Sequence, residues 1–448
     1  MKVLLLAAGR SKRLKPIGDK NFLDFFGKPL IARQLEQLIG AGFKDIVIVG
    51  GRHNLAQVKK LAADFLKSAR YLNIKVIEQK DLDAGMAGAV LSAARLLGKD
   101  PVFIVSANDV VDASAYKMVR QAASDKKFDS YIIGKKVSSY FPGGYLKLKA
   151  GGLISGIVEK PGEGKEPSKM VNLVLHFHRD SARLVKELLA TKSSRDDRYE
   201  VALDSMIKAG VKMKALPYDG YWQAVKYPWH VISLMNRFME CGGASVDKCT
   251  PAVKGLKKGK NVQVAKSATI KGNVFLADGV KVLENAVISG PAYIGKNTII
   301  ANGALVRNSQ VGENCVIGFC SEIARSYLGN GVWTHTNYIG DSLIGNNCSF
   351  GSGTVTGNLR LDEGNISVRV NGEKVDSGST KFGLITGDNV RCGINTSFMP
   401  GVKIGNNCFI GGGIIVAQDI EDDKYAYGKT ELVIKDNLAK AKPRKINI

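Results

Sequence analysis

Over the first 240 residues, short apolar runs alternate with stretches whose apolar residues recur at helical spacing. VLLLAAG (3–9), DIVIVGG (45–51), IKVIEQ (74–79) and VFIVSANDV (102–110) read as strands. IARQLEQLIGAG (31–42), VKKLAADFLKSA (58–69) and AVLSAARLLG (89–98) read as the amphipathic helices between them. Strand–helix–strand alternation predicts a mixed, mostly parallel, Rossmann-like α/β sheet with helices on both faces. Ligands of such sheets bind beyond the carboxyl ends of the strands.

After Cys241 the pattern changes. A Gly- and Lys-rich stretch (242–262) reads as a linker, and an apolar residue then recurs at every sixth position: Ile270, Leu276, Val282, Ile288, Ile294, Ile300 and Val306. After a one-residue slip the series continues through Val311, Ile317 and Ile323. A period of six fits neither a helix nor an alternating strand; it fits a coil of three short strands per turn, about 18 residues per rung. The series breaks at Gly357 and resumes with Thr386, Cys392, Phe398, Ile404, Ile410 and Val416, so about 357–384 is expected as a loop extruded from the coil. The expected organisation is an α/β domain over 1–241, a linker over 242–262, an all-β left-handed parallel β-helix over 263–420 and a basic tail over 421–448.

A hydrophobic content of 45% with 23% charged residues indicates a folded chain long enough for two cores. The net charge of +23 would attract any polyanion, but the lysines are dispersed and no nucleic-acid-binding motif accompanies them, so no specific nucleic-acid partner is expected. Seven cysteines, without a CxxC pair, read as buried thiols in a reducing compartment. The opening MKVLLLAAGRSKR is too short an apolar run for a signal peptide or a membrane span, which points to a cytoplasmic protein with no membrane partner.

The first strand runs into Ala7-Ala8-Gly9-Arg10-Ser11-Lys12-Arg13-Leu14, a small-residue loop whose N–H groups can approach a nucleotide while Arg13 neutralises phosphate. Lys20 follows, then Gly27-Lys28-Pro29-Leu30-Ile31. This segment resembles the sugar-1-phosphate nucleotidylyltransferase family. The resemblance implies that Arg13 and Lys20 grip the triphosphate, that Gln79 with Gly85 and Met86 reads a pyrimidine base, and that UTP or dTTP is the nucleotide. It further implies Mg²⁺ at Asp109, with Gly144, Glu159, Lys160 and Asn172 holding the sugar 1-phosphate. The chain departs from the family's pattern at Ser11 and Asn108, where glycine is usual, and at Ala224, where a second metal-binding aspartate belongs. Alanine cannot ligate a hard cation, so Asp219 or water takes that place, the metal is held more weakly, or catalysis is lost.

In the coil, His335-Thr336-Asn337-Tyr338 sits where the hexad phase slips, and Gly351-Ser352-Gly353-Thr354 precedes the loop. This resembles the acetyltransferase half of the bifunctional enzymes that make UDP-N-acetylglucosamine, the archaeal-type ones especially. His335 is then the base that deprotonates a sugar amine, a task suited to neutral imidazole near pH 7. Tyr338 and Asn358 match acceptor-binding positions. Arg307 and Arg325, 18 residues apart, are expected to stack and clamp the acceptor phosphate. Acetyl-CoA as co-substrate would lie near Ser352, Gly393 and Gly411, with Lys429 at its phosphates. Related coils assemble as homotrimers. Two other readings stay open: nucleotidyl transfer alone with the coil as an oligomerisation module, and a non-catalytic subunit like those of translation-factor exchange complexes.

Overall fold

The computed structural model describes residues 1–193, 197–242, 255–429 and 431–437. Its N-terminal sheet has nine strands, in the order Ile154–Glu159, Gly144–Leu148, Met170–His178, Val102–Ser106, Lys2–Leu6, Asp45–Gly51 and Asn73–Gln79; Ser130–Lys136 also pairs with Met170–His178 and carries Met213–Pro217 on its other side. Lys2–Leu6 is flanked in parallel by Asp45–Gly51 and Val102–Ser106, whereas Met170–His178 runs antiparallel to its neighbours. The continuous apolar run of the first strand follows from burial on both faces: Val3 and Leu5 belong to one core, Leu4 to the core on the opposite side.

The C-terminal region is a parallel β-helix. Two eight-stranded parallel sheets run along it, and the third face is split into two four-stranded sheets. The hexad residues Leu276, Val282, Ile288, Ile294, Ile300, Val306, Val311, Ile317 and Ile323 point into it and are each 0–1% exposed. Corner residues such as Asn297, Asn314, Asn347, Asn389 and Asn407 have φ between 52° and 61°, the left-handed region that asparagine tolerates better than most residues. Their amides bridge successive rungs, as in Asn347 Nδ2 to Asn389 Oδ1 at 2.8 Å and Asn389 Nδ2 to Asn407 Oδ1 at 2.9 Å.

The hexad slip has a structural cause. Ile288 pairs with Val306, a rung of 18 residues, but Val306 pairs with Ile323 and Ile323 with Ile339, rungs of 17 and 16. At the shortened corners buried serines replace missing backbone links: Ser326 N–H donates to Ser309 Oγ and Ser342 N–H to Ser326 Oγ, each at 3.0 Å.

Two boundaries move relative to the sequence reading, and the interruption is not an extruded loop. The first coil strand, Leu256–Lys258, pairs with Val274–Leu276 and so lies inside the stretch read as linker; residues 243–254 of that stretch are outside the described residues. Tyr425–Ala426 pairs with Phe409–Ile410, so the coil extends into the segment read as tail. The interruption is a β-hairpin, Ser367–Val370 with Glu373–Asp376, and it packs inward: Ile366, Val368, Val370 and Phe382 share a core with Val231, Leu234, Met235 and Phe238 of the helix Pro228–Glu240. The all-thiol reading of the cysteines also fails. Cys241, fully buried at the end of that helix, is disulfide-bonded, and Cys320 is exposed.

The two domains meet at Asp24. Its carbonyl accepts from Gln310 Nε2 at 2.7 Å and Tyr327 Oη at 2.9 Å, and Phe26 N–H donates to Gln310 Oε1 at 3.2 Å. Burial, reinforced by Glu313 and opposed by Arg33, pushes the Asp24 carboxyl up to about 6, and Asp24 Oδ1 is buried without a partner. A carboxyl raised on folding favours the native state while protonated, and that contribution fades as pH rises through about 6. Asp24→Asn is therefore expected to be more stable than the parent at pH 8 by about 1–2 kcal/mol, with the difference vanishing near pH 4. Thermal melts at the two pH values check this.

Candidate functional site

The loop after the first strand is held from beneath by amides. Asn21 Nδ2 and Asn54 Nδ2 both donate to Ala7 O, at 3.0 and 2.9 Å. Ala7 and Ala8 are buried, and Gly9 is exposed beyond them. Ser11, in the place of a glycine, takes φ 52°, and its Oγ accepts from Lys20 N–H at 3.2 Å. The hydroxyl thus ties the loop to the lysine segment in a conformation glycine would adopt freely. The Arg13 guanidinium lies 6.0 Å from the Tyr227 ring centre. Lys20 Nζ reaches Val225 O at 3.4 Å; burial lowers its pKa to about 8, with Arg13 acting in the same direction and Asp109 and Asp19 opposing.

Gln79 departs from expectation. Its Nε2 donates to Asp81 O at 2.9 Å and Gly85 O at 2.8 Å, so both amide hydrogens are used in closing the turn. Only its acceptor oxygen is left for a base edge, and pairing with both a carbonyl and an N–H of that edge is not available in this arrangement. Gly85 takes φ 58° at the start of the helix Gly85–Ser92, and Met86 packs on the sheet core.

Asp109 opens the strand Asp109–Val111, which pairs antiparallel with Trp222–Ala224 so that Ala224 stands directly opposite it. Trp222 Nε1–H donates to Asp109 Oδ1 at 2.9 Å. Burial raises the Asp109 pKa, against the pull of that indole, Lys226, Lys20 and Ser106. This surrounding does not fit a protein-held Mg²⁺. A hard cation needs several oxygen donors, but here one carboxylate already accepts from an indole and faces two lysines. Asp219 is exposed in the turn before Trp222. Among the described residues no cluster of three or more His, Cys, Asp or Glu converges anywhere.

Gly144 pairs with Glu159 across adjacent strands, and a Cβ at Gly144 would lie 3.0 Å from Glu159 Oε2 and 3.4 Å from Asn172 Nδ2. The glycine therefore makes room for the two side chains to converge. Lys160, at φ 45°, places Nζ 3.4 Å from Glu159 Oε1. Behind Asn172 runs a buried chain of hydrogen bonds. Asn172 Oδ1 meets His176 Nε2 at 2.7 Å, His176 Nδ1 meets Tyr199 Oη at 3.0 Å, Tyr199 Oη meets His178 Nε2 at 2.9 Å, and His178 Nδ1 meets Ser130 Oγ at 2.9 Å. Burial lowers both histidines to about 3, so both are neutral. Because a carboxamide oxygen only accepts, His176 carries its proton on Nε2 and the donors all point toward Asn172. The Asn172 amide N–H₂ is thereby turned toward Glu159. Tyr199→Phe leaves His176 Nδ1 and His178 Nε2 buried without a partner and is expected to destabilise the fold by about 2–4 kcal/mol in denaturant unfolding.

In the coil, the ladder through Val316, Trp333, Ser349, Arg391, Phe409 and Tyr425 puts Gly318, His335, Gly351, Gly393, Gly411 and Tyr427 in one column. The glycines are there because the rungs nearly touch: a Cβ at Gly318 would lie 2.3 Å from Thr334 O, one at Gly351 2.6 Å from Gly393 C, and one at Gly393 2.4 Å from Gly412 N. His335 stands in a glycine's place at the break of the third face, exposed, with its N–H donating to Asn337 Oδ1 at 2.6 Å. Asn337 is in turn fixed to Gly351 O and Thr354 O, at 2.8 and 3.0 Å. Beside it, Tyr338 Oη accepts from Asn358 Nδ2 at 3.2 Å, and Asn358 also donates to Asp341.

The stacked arginine clamp is not formed. With a 17-residue rung Arg307 pairs with Ala324, and Arg325 falls on the corner at φ 49°. Arg307 is held by Glu322 at 2.7 Å, and Arg325 makes a two-pronged pair with Asp341 at 2.6 Å through Nε and Nη2. Ser352 and Lys429 are exposed, Lys429 beyond the last coil strand.

A family model described as nucleotidyl transferase matches residues 2–225. The bifunctional protein GlmU of Methanococcus maripaludis is 31% identical over 439 residues, covering 97% of this chain and 99% of its own length. A bifunctional sugar-1-phosphate nucleotidylyltransferase/acetyltransferase of Sulfurisphaera tokodaii is 30% identical over 435 residues, covering 94% and 98%. The chain belongs to the nucleotidyl transferase family. Its relatives span both domains, so membership is with the bifunctional branch of the family.

Within this nucleotidyl transferase fold Arg13 and Asp109 act electrostatically on Lys20, Lys20 Nζ reaches Val225 O beside the strand opposite Asp109, and Glu159 holds Lys160. The residue the sequence reading missed is Lys226, whose ammonium feels the charges of Asp109, Arg13, Glu159 and Lys160 together. It lies two positions after Ala224, in the segment read only for its missing aspartate.

Proposed function

We propose that the protein transfers a nucleotidyl group from UTP or dTTP to a sugar 1-phosphate and acetylates the amine of a hexosamine 1-phosphate with acetyl-CoA. The observation that carries the first half is the gathering of four cations with two carboxylates: Lys20 reaches Val225 beside the strand opposite Asp109, Lys160 is held by Glu159, and Lys226 feels Asp109, Arg13, Glu159 and Lys160. Four cations facing two carboxylates form a site for a polyanion that also hydrogen-bonds sugar hydroxyls. Arg13 and Lys20 bind the triphosphate. Glu159 and the Asn172 amide offer an acceptor and a donor to sugar hydroxyls, and Lys160 takes the sugar phosphate. The attacking sugar phosphate is already anionic, so no general base is required.

For the second half, His335 is the only side chain larger than hydrogen in the interior of the glycine column between Gly318 and Gly411, and it is exposed. Its imidazole takes the proton of the sugar amine as the nitrogen attacks the thioester carbonyl. Tyr338 and Asn358 hold the acceptor. Arg325 binds its phosphate by exchanging Asp341 for the ligand. Acetyl-CoA lies along the column near Ser352, Gly393 and Gly411, with Lys429 at its phosphates. The exposed Phe319, Trp333, Ile394 and Ile415 are covered when three coils associate, and light scattering of the purified chain measures that state.

A product-resolved assay with acetyl-CoA, UTP, dTTP and the hexosamine phosphates together tests the whole reading. The expected product is a nucleotide-linked N-acetylhexosamine. Pyrophosphate release without consumption of acetyl-CoA would reduce the coil to an oligomerisation module.

A further inference from the structure

Resting on the nucleotidyl-transfer reading, one feature of that site goes beyond it. The family's pattern at this strand pair is two carboxylates holding a doubly charged cation, a set of zero net charge. Here the second carboxylate is Ala224, 4% exposed and opposite Asp109, and two residues on stands Lys226. Asp109 with Lys226 is again a set of zero net charge, with no cation needed.

The backbone fixes where that ammonium goes. Val225 N–H donates to Asn108 O at 3.0 Å, continuing the pairing with the Asp109 strand, and Lys226 N–H donates to His230 Nδ1 at 3.2 Å, which turns the chain into the following helix. Lys226 Nζ donates to Pro142 O at 2.8 Å and lies 4.0 Å from the centre of the Phe141 ring. The next residue there is Gly143, at which a Cβ would lie 3.6 Å from that Nζ. One of three ammonium hydrogens is used, which leaves two to donate, and the charges of Asp109, Arg13, Glu159 and Lys160 all act on this ammonium. Holding a charge there costs desolvation, which a lysine with a purely structural task would avoid by reaching water.

We propose that the Lys226 ammonium is a catalytic group that takes, at the α-phosphate, the place of a protein-held divalent cation. In the reaction an oxygen of the sugar 1-phosphate forms the new bond to the α-phosphorus. The bond from that phosphorus to the oxygen bridging toward the β-phosphate breaks, and its electron pair leaves with pyrophosphate. Lys226 donates hydrogen bonds to a non-bridging α-phosphate oxygen throughout and transfers no proton.

Two measurements on the full chain test this. Mn²⁺ titration followed by electron paramagnetic resonance, without nucleotide, is expected to show no site in the parent at concentrations up to about 0.1 mM and one site in the Ala224→Asp/Lys226→Gly double variant. Lys226→Met is expected to lower the kcat of nucleotidyl transfer by at least about 100-fold while nucleotide affinity changes less than about tenfold. Unchanged acetyl transfer shows that this variant is folded. A Mn²⁺ site in the parent that disappears in Asp109→Asn, or a Lys226→Met kcat within about threefold of the parent, overturns the assignment. Absence of turnover with every nucleotide in the parent overturns the nucleotidyl-transfer reading instead.

Discussion

Replacing His335 with alanine is expected to lower acetyl transfer to a hexosamine 1-phosphate by about 10²–10⁴-fold and to leave nucleotidyl transfer unchanged. The size of the effect follows from the absence of a substitute. The column neighbours of His335 are Gly318 and Gly351, neither of which can accept a proton, and Asn337, the polar side chain bonded to its backbone, is committed to Gly351 and Thr354. The substitution leaves the fold alone, because the ring is exposed and the residue's structural bond is made by its N–H. Parallel assays of both half-reactions on one preparation check it; equal loss in both would mean that the substitution damages the fold rather than removes a base.

The second large effect is expected at Lys20. Lys20→Met should reduce nucleotidyl turnover by about 10²–10³-fold with little change in acetyl transfer. Lys20 feels the charges of both Arg13 and Asp109 and is tied by its backbone to Ser11 of the loop, so its charge is placed in advance where the triphosphate adds negative charge. Burial holds its pKa near 8, and a lysine poised there loses its proton as pH rises. The kcat/KM for nucleotide should accordingly fall above about pH 8 in the parent. A profile of kcat/KM against pH at subsaturating nucleotide, which reports the free enzyme, measures that limb.

Much of the fold was legible because both repeating patterns leave a signature that nothing else produces. Period-six apolar residues cannot serve a helix or a half-buried strand, and every one of them from Leu276 to Ile323 is inside the coil. The run VLLL was legible as a strand for the complementary reason: it has no polar face because it has no solvent face. What failed was local geometry. The clamp of Arg307 and Arg325 assumed 18-residue rungs, and the shorter corner held by Ser309 and Ser326 shifts one of them onto a bend. Gln79 looked free to read a base, and its spending of both hydrogens on Asp81 and Gly85 depends on how the turn closes. The hairpin does carry a signal in the sequence: Asn371-Gly372 between the alternating Val368, Val370 and Val375 is a turn pair with both residues at positive φ, 49° and 88°. Lys226 was visible too, but a residue that compensates for an absent one is recognised only when the pairing of Ala224 with Asp109 shows what it stands beside.

The hairpin also decides how this molecule can be taken apart. Phe25 and Leu30 from the first domain, Tyr327, Leu343 and Ile385 from the coil, and Ile366 and Val368 from the hairpin form a single apolar cluster with the helix Pro228–Glu240. A cut at the chain's apparent seam would leave each fragment with half of that cluster facing water. Modularity of sequence is therefore not modularity of folding here: the halves that read as separate genes' worth of pattern are finished only by one another.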